Sequence, residues 1–212
     1  AQAVAAERLP RPFTLALCLE DTVRADALAA AEQAVEQTLH DLTDAARQET
    51  FYRPLTFVRV RSPDQLARLG RAYGKYRPLL TGFILPKFFI ETCGAYCAVI
   101  RDLQADGLDY FYMPVFEAPS MLPLHTRHAA LAEVKAQLDA LRECILNIRV
   151  GGNDLCHVFG LRRDPGHTIY DLRPVADVLT DLLTTFAPDY LVAGPVWEYY
   201  DGPGWAEGLA QE

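Results

Sequence analysis

The stretch Cys144–Leu155, which reads Cys-Ile-Leu-Asn-Ile-Arg-Val-Gly-Gly-Asn-Asp-Leu, decides the fold. An apolar run of strand length ends there in two glycines, and a carboxylate, Asp154, follows them. Glycines at a strand end allow a tight backbone turn and the close approach of a ligand. Because α/β folds place their chemistry at the carboxyl ends of strands, the stretch predicts a strand that delivers Asp154 to a site.

Five further apolar runs have the length of strands, and helical patterns separate them. The predicted strands cover residues 13–19, 55–60, 82–87, 110–116 and 190–196. Between them, apolar residues recur at intervals of three, four and seven, as in Leu28, Val35, Leu39 and Leu42, which is the spacing of a helix with one buried face. Ser62-Pro-Asp-Gln65 predicts a helix start with a capping box. The alternation of strand and helix predicts βαβ units and a parallel sheet.

Two α/β architectures share this alternation, a doubly wound open sheet and a closed barrel. A doubly wound sheet usually has a glycine-rich phosphate turn after its first strand, and Leu19-Glu-Asp-Thr22 contains no glycine. A barrel whose site collects residues from many strand ends fits better. We therefore predict an α/β protein of the TIM (β/α)8-barrel type, in which residues 1–212 form a single domain.

Composition excludes several classes of function. A net charge of −8 argues against a surface that binds nucleic acid without sequence preference. No apolar run approaches the roughly 20 residues of a membrane span. The five cysteines form no CxxC pair, which predicts free thiols in a reducing cytoplasm. We expect a cytoplasmic homo-oligomer with a small-molecule partner, and neither nucleic acid nor a membrane as a partner.

Charged side chains stand at the end of each predicted strand. The set is Glu20/Asp21, Arg59/Arg61, Lys87, Glu117, Asp154 and Glu198. In a closed sheet these side chains converge on one mouth. Two carboxylates on neighbouring strands, with water completing the shell, can hold Mg²⁺, which can polarise a carbonyl and stabilise an enolate. Since an arginine fork suits a substrate carboxylate, the set indicates carbon–carbon bond chemistry next to a carbonyl.

Each of these residues also has a purely structural interpretation. Glu117 and Asp154 could cap the helices that follow their strands, and Lys87 could be a solvated charge. Arg59 lies in an otherwise apolar strand and therefore needs a partner. That partner could be one of the two acidic residues after the first strand rather than a substrate.

At these residues the sequence resembles the citrate lyase beta-chain and HpcH/HpaI aldolase superfamily. The motifs that carry the resemblance, in chain order, are Leu17-Cys-Leu-Glu-Asp-Thr-Val23, Val58-Arg-Val60, Leu85-Pro-Lys87, Pro114-Val-Phe-Glu117 and Gly151-Gly-Asn-Asp-Leu155. The runs 148–155, 160–163 and 194–199 are similar to one branch, the lyase-like proteins found with tellurium-resistance and stress gene clusters. The resemblance spans nearly the whole chain.

The resemblance implies a TIM barrel that cleaves or forms carbon–carbon bonds of an acyl-CoA or a 2-oxo acid through a metal-stabilised enolate. It implies Mg²⁺ as cofactor, Glu117 and Asp154 as its ligands, and Arg59 as a substrate-binding arginine, so that these three residues are catalytic. The other residues expected to bind substrate are Glu20, Asp21, Lys87, Gly151 and Gly152. The alternative function is a barrel that binds a metabolite or a partner protein without turnover.

The sequence departs from the superfamily pattern in two ways. Cys18 stands where the family's Asp-Leu-Glu-Asp motif begins with Asp. The resemblance also makes the first visible strand the second of a barrel, so that strand one and the last βα unit, with its late His-Pro motif, are missing from this chain. We expect a part of a longer polypeptide, because an open sheet of this type would expose two long edges.

Overall fold

One parallel sheet organises the computed structural model of the protein, which describes residues 1–6, 12–48, 51–162 and 166–195. Its strands are β1 Thr14–Cys18, β2 Leu55–Arg59, β3 Leu80–Leu85, β4 Phe111–Phe116, β5 Ile148–Val150 and β6 Val192–Ala193. Each strand pairs in parallel with the next one along the chain. The predicted parallel sheet is therefore confirmed.

Helices connect the strands. They are α1 Gln2–Ala5, α2 Leu28–Gln48, α3 Pro63–Ala72, α4 Cys93–Ala105, α5 Leu124–Asp139, α6 Gly152–Val158 and α7 Arg173–Phe186. A doubly wound sheet reverses its strand order at a switch point. Because the order here runs from β1 to β6 without reversal, the described strands form a half-barrel, and the predicted partial TIM barrel is confirmed.

The two faces of the sheet have different surroundings. Successive side chains of a strand point to opposite faces, so β2 separates Val58 from its neighbours Phe57 and Arg59. Val58 belongs to the large core between sheet and helices, whereas Phe57 packs on the inner face in a smaller cluster. The other members of that inner cluster are Ile84, Met113 and Val115. Arg59 therefore shares the inner face with these apolar residues.

The start of α3 follows the sequence prediction with one difference. The Ser62 hydroxyl accepts a hydrogen bond from the backbone N–H of Gln65 at 3.2 Å, as a capping box requires. The Gln65 side chain, however, accepts from the backbone N–H of Arg61 at 2.7 Å, and not from that of Ser62. The reciprocal bond is thus displaced by one residue towards β2.

Two predicted strand boundaries are wrong for identifiable reasons. β3 ends at Leu85 rather than Lys87, because Pro86 has no N–H for the ladder and Lys87 has a left-handed backbone with φ 50°. β5 begins at Ile148 rather than near Cys144, which ends a short 3-10 turn. Ile145 makes only an isolated bridge to β4.

The remaining boundaries differ by a few residues. β6 comprises only Val192 and Ala193, and the predicted end of that strand at Val196 lies outside the described residues.

All five cysteines are free thiols. In the described parts of the chain, no helix has both the length and the apolar character that crossing a membrane requires.

Candidate active site at the carboxyl end of the sheet

The structure brings five of the predicted site residues to one end of the sheet. Glu20 follows β1, Arg59 ends β2, Lys87 follows β3, and Glu117 follows β4 directly. Asp154 lies in the first turn of α6, just after β5. Because parallel strands place their carboxyl ends on one edge, residues far apart in sequence become neighbours there.

Glu117 is the centre of this arrangement. Its side chain is almost fully buried, and its Oε1 atom accepts hydrogen bonds from Arg59 Nη2 at 3.0 Å and from the backbone N–H of Lys87 at 3.1 Å. The carboxyl group of Asp154 lies close enough to interact with it. The pKa of Glu117 is raised to about 7, mainly by burial and to a lesser degree by the neighbouring Asp154, against the lowering effects of Arg59 and the Lys87 amide.

The two glycines at the end of β5 make room for other groups. A Cβ atom on Gly151 would lie 2.1 Å from Oε2 of Glu117, so the carboxylate occupies the space that a side chain would fill. A Cβ atom on Gly152 would lie 2.0 Å from Ile169 and 2.9 Å from Pro195. The Gly151 backbone has φ −90°, which other residues adopt readily, so the requirement for glycine there is one of space.

A second set of ion pairs lies beside Glu117. The Glu20 side chain is 3% exposed, and its Oε2 atom lies 2.7 Å from Arg59 Nη2. Lys87 Nζ lies 3.0 Å from Oε1 of Glu20 and 3.2 Å from Asp21. Arg59 therefore has two carboxylate partners in the protein, Glu20 and Glu117, and the first of these was one of the structural partners considered from the sequence.

Arg61 has a structural role that the sequence did not indicate. Its guanidinium donates hydrogen bonds to the backbone carbonyls of Glu20 and Val23. It thereby holds the loop that follows β1, and with it the Glu20 carboxylate, against the end of β2.

The helix-capping interpretation of the two carboxylates finds no support in their contacts. The residue before α6, Gly151, makes no side-chain capping bond, and neither does Ala118, which precedes the 3-10 turn after β4. Glu117 instead contacts groups from β2, from the β3 loop and from α6. The two carboxylates therefore come from separate βα units, Glu117 from the residue after β4 and Asp154 from the first turn of α6.

A cavity of about 330 Å³ opens at this end of the sheet. Its lining residues are Ala16, Cys18, Arg59, Ile84, Val115, Glu117, Arg149, Val150, Gly151, Gly152, Asn153 and Asp154. Arg149 is a residue that the sequence analysis missed. It stands between two apolar residues of β5, as Arg59 stands in β2, and the same reasoning about a buried cation would have identified it.

The donor set at the cavity suits Mg²⁺. Glu117 and Asp154 offer neighbouring carboxylate oxygens, and Mg²⁺ commonly takes one or two carboxylates and keeps several waters. Within residues 1–6, 12–48, 51–162 and 166–195, no group of three or more His, Cys, Asp or Glu side chains could hold a metal ion. The two carboxylates alone would supply only part of the shell, and water or substrate oxygens would have to complete it.

Several residues from the sequence analysis cannot be placed. Glu198, which belonged to the set of strand-end charges, lies outside the described residues. Arg163 and most of the run 194–199, which carried part of the resemblance to the tellurium-associated branch, lie outside them as well.

Comparisons with known proteins agree with this geometry at the level of fold. RipC from Yersinia pestis superposes with a TM-score of 0.58 at 15% identity, over 92% of this chain and 74% of RipC. The citrate lyase beta subunit of M. tuberculosis, complexed with oxaloacetate and magnesium, superposes with a TM-score of 0.54 at 19% identity, over 93% and 74% of the two chains.

The structure of the protein CitE from Mycobacterium tuberculosis, in complex with magnesium, acetoacetate and coenzyme A, gives a TM-score of 0.55 at 19% identity, over 93% of this chain and 61% of that one. A search of curated protein sequences found no match to this chain. The sequence model of the family described as C-C bond lyase of the TIM-barrel fold matches residues 1–212.

Proposed function

Because the chain belongs to the family of carbon–carbon bond lyases of the TIM-barrel fold, we propose that it cleaves or forms a bond next to the carbonyl of a 2-oxo acid or an acyl-CoA, with Mg²⁺ as cofactor. The observation that carries the proposal is the pair formed by the buried Glu117 and the half-buried Asp154 beside Arg59, in the lining of a cavity. The related fold of a citrate lyase beta subunit that binds oxaloacetate and magnesium supports it.

Glu117 and Asp154 are the residues that would hold the ion. When bound, Mg²⁺ would polarise the substrate carbonyl and stabilise the negative charge that develops as the carbon–carbon bond breaks. Apolar residues of the inner sheet face, among them Ile84 and Val115, line the cavity next to the two carboxylates and limit the access of water from the sheet side. A desolvated pair attracts a cation more strongly than a solvated one.

Arg59 is suited to orient the substrate. One of its terminal nitrogens, Nη2, is engaged by Glu20 and Glu117. Its Nε atom is buried and, within the described residues, has no hydrogen-bond partner. A buried N–H donor without a partner is costly, so a substrate oxygen that accepts from it would remove that penalty.

The test is proton exchange next to the carbonyl, measured by NMR in D₂O with pyruvate, oxaloacetate and acetyl-CoA. We expect exchange that depends on Mg²⁺ in the wild type and disappears in Asp154→Asn, which keeps the shape but removes a charge. The control is Asp102→Asn, which removes the same charge from the exposed face of α4.

Each outcome of that test has a clear meaning. Exchange retained in Asp102→Asn and lost in Asp154→Asn, with Mg²⁺ affinity lost as well, supports the lyase. Binding of a ligand to the wild type without any exchange would instead favour the alternative, a binding barrel without turnover.

Three further proposals concern the location of the protein in the cell, its oligomeric state and its association with gene clusters. We propose a cytoplasmic location, which the five free thiols support, and assembly into a homo-oligomer. The association with tellurium-resistance and stress gene clusters rests on the sequence resemblance alone and stays a prediction.

A further inference from the structure

Arg149 lies in the middle of β5, partly buried, and lines the same cavity as Arg59 and Glu117. We propose that Arg149 binds a second acidic group of the substrate, so that the site selects a small dicarboxylate over the matching monocarboxylate. This inference rests on the proposed function for the position of the ligand. It adds a specificity-determining residue on the opposite side of the cavity from β1 and β2.

The strand register places Arg149 next to the catalytic pair. Arg149 pairs with Val115 of β4, two residues before Glu117. Its neighbours Ile148 and Val150 belong to the core between sheet and helices, so the alternation along the strand sends the Arg149 side chain to the inner face. Arg149 therefore reaches the cavity just below the carboxylates.

Charge compensation distinguishes the two arginines of the cavity. Arg59 forms ion pairs with Glu20 and Glu117, whereas the guanidinium of Arg149 forms no hydrogen bond or ion pair with any residue that the structure describes. Burial and the nearby charge of Arg59 both lower the pKa of Arg149, against a smaller opposing effect of Glu117. Arg149 is thus a partly buried cation that has no anionic partner among the residues the structure describes.

The chemistry of the group indicates what kind of anion it would accept. A guanidinium presents a planar fork of donors that matches a carboxylate. The cavity of about 330 Å³ is at the lower end of the roughly 300–1,000 Å³ typical of small-molecule sites. A short dicarboxylate, with one acid group near Arg59 and one on Arg149, suits this space.

A competing explanation is that Arg149 only offsets the negative charge of Glu117. The two explanations differ in what the loss of Arg149 changes. If Arg149 acts only through Glu117, its removal alters the binding of metal and of every ligand alike. If it contacts a second acidic group, its removal weakens the dicarboxylate alone.

The experiment compares oxaloacetate with pyruvate, which differ by one carboxylate. Binding is measured by calorimetry with Mg²⁺ for the wild type, Arg149→Met, Arg149→Lys and Arg101→Met. Arg101 is exposed on α4 and does not line the cavity, so its replacement matches the change in net charge. Circular dichroism and thermal melting verify that each variant is folded.

We expect the wild type to bind oxaloacetate at least about tenfold more tightly than pyruvate, the effect of one charged hydrogen-bonded contact. Arg149→Met should reduce that ratio to about one to three while pyruvate affinity stays within about twofold, and Arg149→Lys should give an intermediate ratio. Arg101→Met should behave as the wild type. An unchanged ratio in Arg149→Met, or an equal loss for both ligands, would overturn the proposal.

A second measurement tests the role of Arg149 independently of the proposed lyase activity. Thermal melting is recorded without Mg²⁺, with oxaloacetate or pyruvate added to the wild type and to Arg149→Met. We expect oxaloacetate to raise the melting temperature of the wild type more than that of Arg149→Met. That result supports the role of Arg149 even if no proton exchange is found, and its absence contradicts it even if exchange occurs.

Discussion

The half of the sheet that contains β1 to β4 differs from the half that contains β5 and β6 in how its charges are compensated. In the first half, Arg59 and Lys87 both form ion pairs with Glu20, Arg59 also pairs with Glu117, and the strands have five or six residues. In the second half the strands have three and two residues, and Arg149 has no partner in the described part of the chain.

We call the half that contains β1 to β4 the frame, because its ion pairs form without any ligand. In the other half, the charge of Arg149 would be compensated by a ligand. Mutual ion pairs hold the first half in one arrangement without any substrate, as preorganised catalytic groups require. An isolated cation gains most from a ligand that supplies its counter-charge.

The largest effect is expected from Gly82→Ala in the frame. A Cβ atom at Gly82 would lie 1.7 Å from the carbonyl oxygen of Phe111 and 2.6 Å from its carbonyl carbon, which are backbone atoms of the paired strand. Because backbone cannot move aside as a side chain can, we expect the free energy of unfolding to fall by at least about 3 kcal/mol. Urea unfolding measures this change.

The matched control is Gly94→Ala in α4, where the nearest atom to an added Cβ is 3.6 Å away. Alanine is the better helix former, so this variant should be as stable as the wild type or slightly more stable. Equal stability of Gly82→Ala and Gly94→Ala would show that β3 and β4 are not paired as described.

The next largest effect is a difference in stability between the Arg59 and Arg149 variants, measured without ligand. Arg59→Met leaves the buried carboxylates Glu20 and Glu117 without their shared cation, so we expect a loss of about 2–4 kcal/mol. Arg149→Met removes a cation that has no partner among the described residues, and we expect its stability to stay within about 0.5 kcal/mol of the wild type or to increase. Chemical unfolding at neutral pH measures both, and similar losses in the two variants would contradict the comparison.

The positions of these residues show how far sequence reasoning reaches. The strand-end pattern located Glu20, Arg59, Lys87, Glu117 and Asp154, because an apolar run followed by a charge has a simple meaning in a parallel sheet. It did not show which carboxylate faces which cation. That pairing depends on the register of strands that are distant in sequence.

Glycine illustrates the same limit. The Gly151-Gly152 pair was interpreted as a tight turn that a ligand approaches, whereas Gly151 makes room for the Glu117 carboxylate and Gly152 for Ile169. Both requirements come from residues on other elements. Arg149, by contrast, could have been found from the sequence, because a lone cation within an apolar strand is itself a signal.

A pH dependence is expected from Glu117 in the metal-free protein. Burial raises the pKa of Glu117 from an ordinary value of 4.5 to about 7, so between these values the folded state binds a proton that the unfolded state releases. The contribution of Glu117 to stability is therefore fully present below pH 4.5 and is lost as the pH rises through about 7.

We expect this loss to be on the order of 1–3 kcal/mol, measured by urea unfolding at a series of pH values without metal. Glu117→Gln does not titrate, so its stability should fall less than that of the wild type over the same interval. Parallel pH profiles for the two proteins would show that the carboxyl of Glu117 is not shifted upward.

The smallest effect concerns the backbone of Lys87, which lies in the frame. Lys87 has φ 50°, a conformation that costs residues with a side chain roughly 1–2 kcal/mol and glycine almost nothing. The left-handed backbone positions the Lys87 amide so that it donates a hydrogen bond to Glu117, while the ammonium forms ion pairs with Glu20 and Asp21.

Replacing Lys87 by alanine and by glycine separates these two contributions, since both variants lose the same ammonium and only the backbone preference differs. We expect Lys87→Gly to be more stable than Lys87→Ala by about 1 kcal/mol. The free-energy cost of the left-handed backbone for alanine exceeds the free energy by which the greater flexibility of glycine stabilises the unfolded chain. The difference is measured as the shift in the urea midpoint at equal slope. If Lys87→Ala is the more stable variant, the left-handed turn does not hold the Glu117 carboxylate in solution.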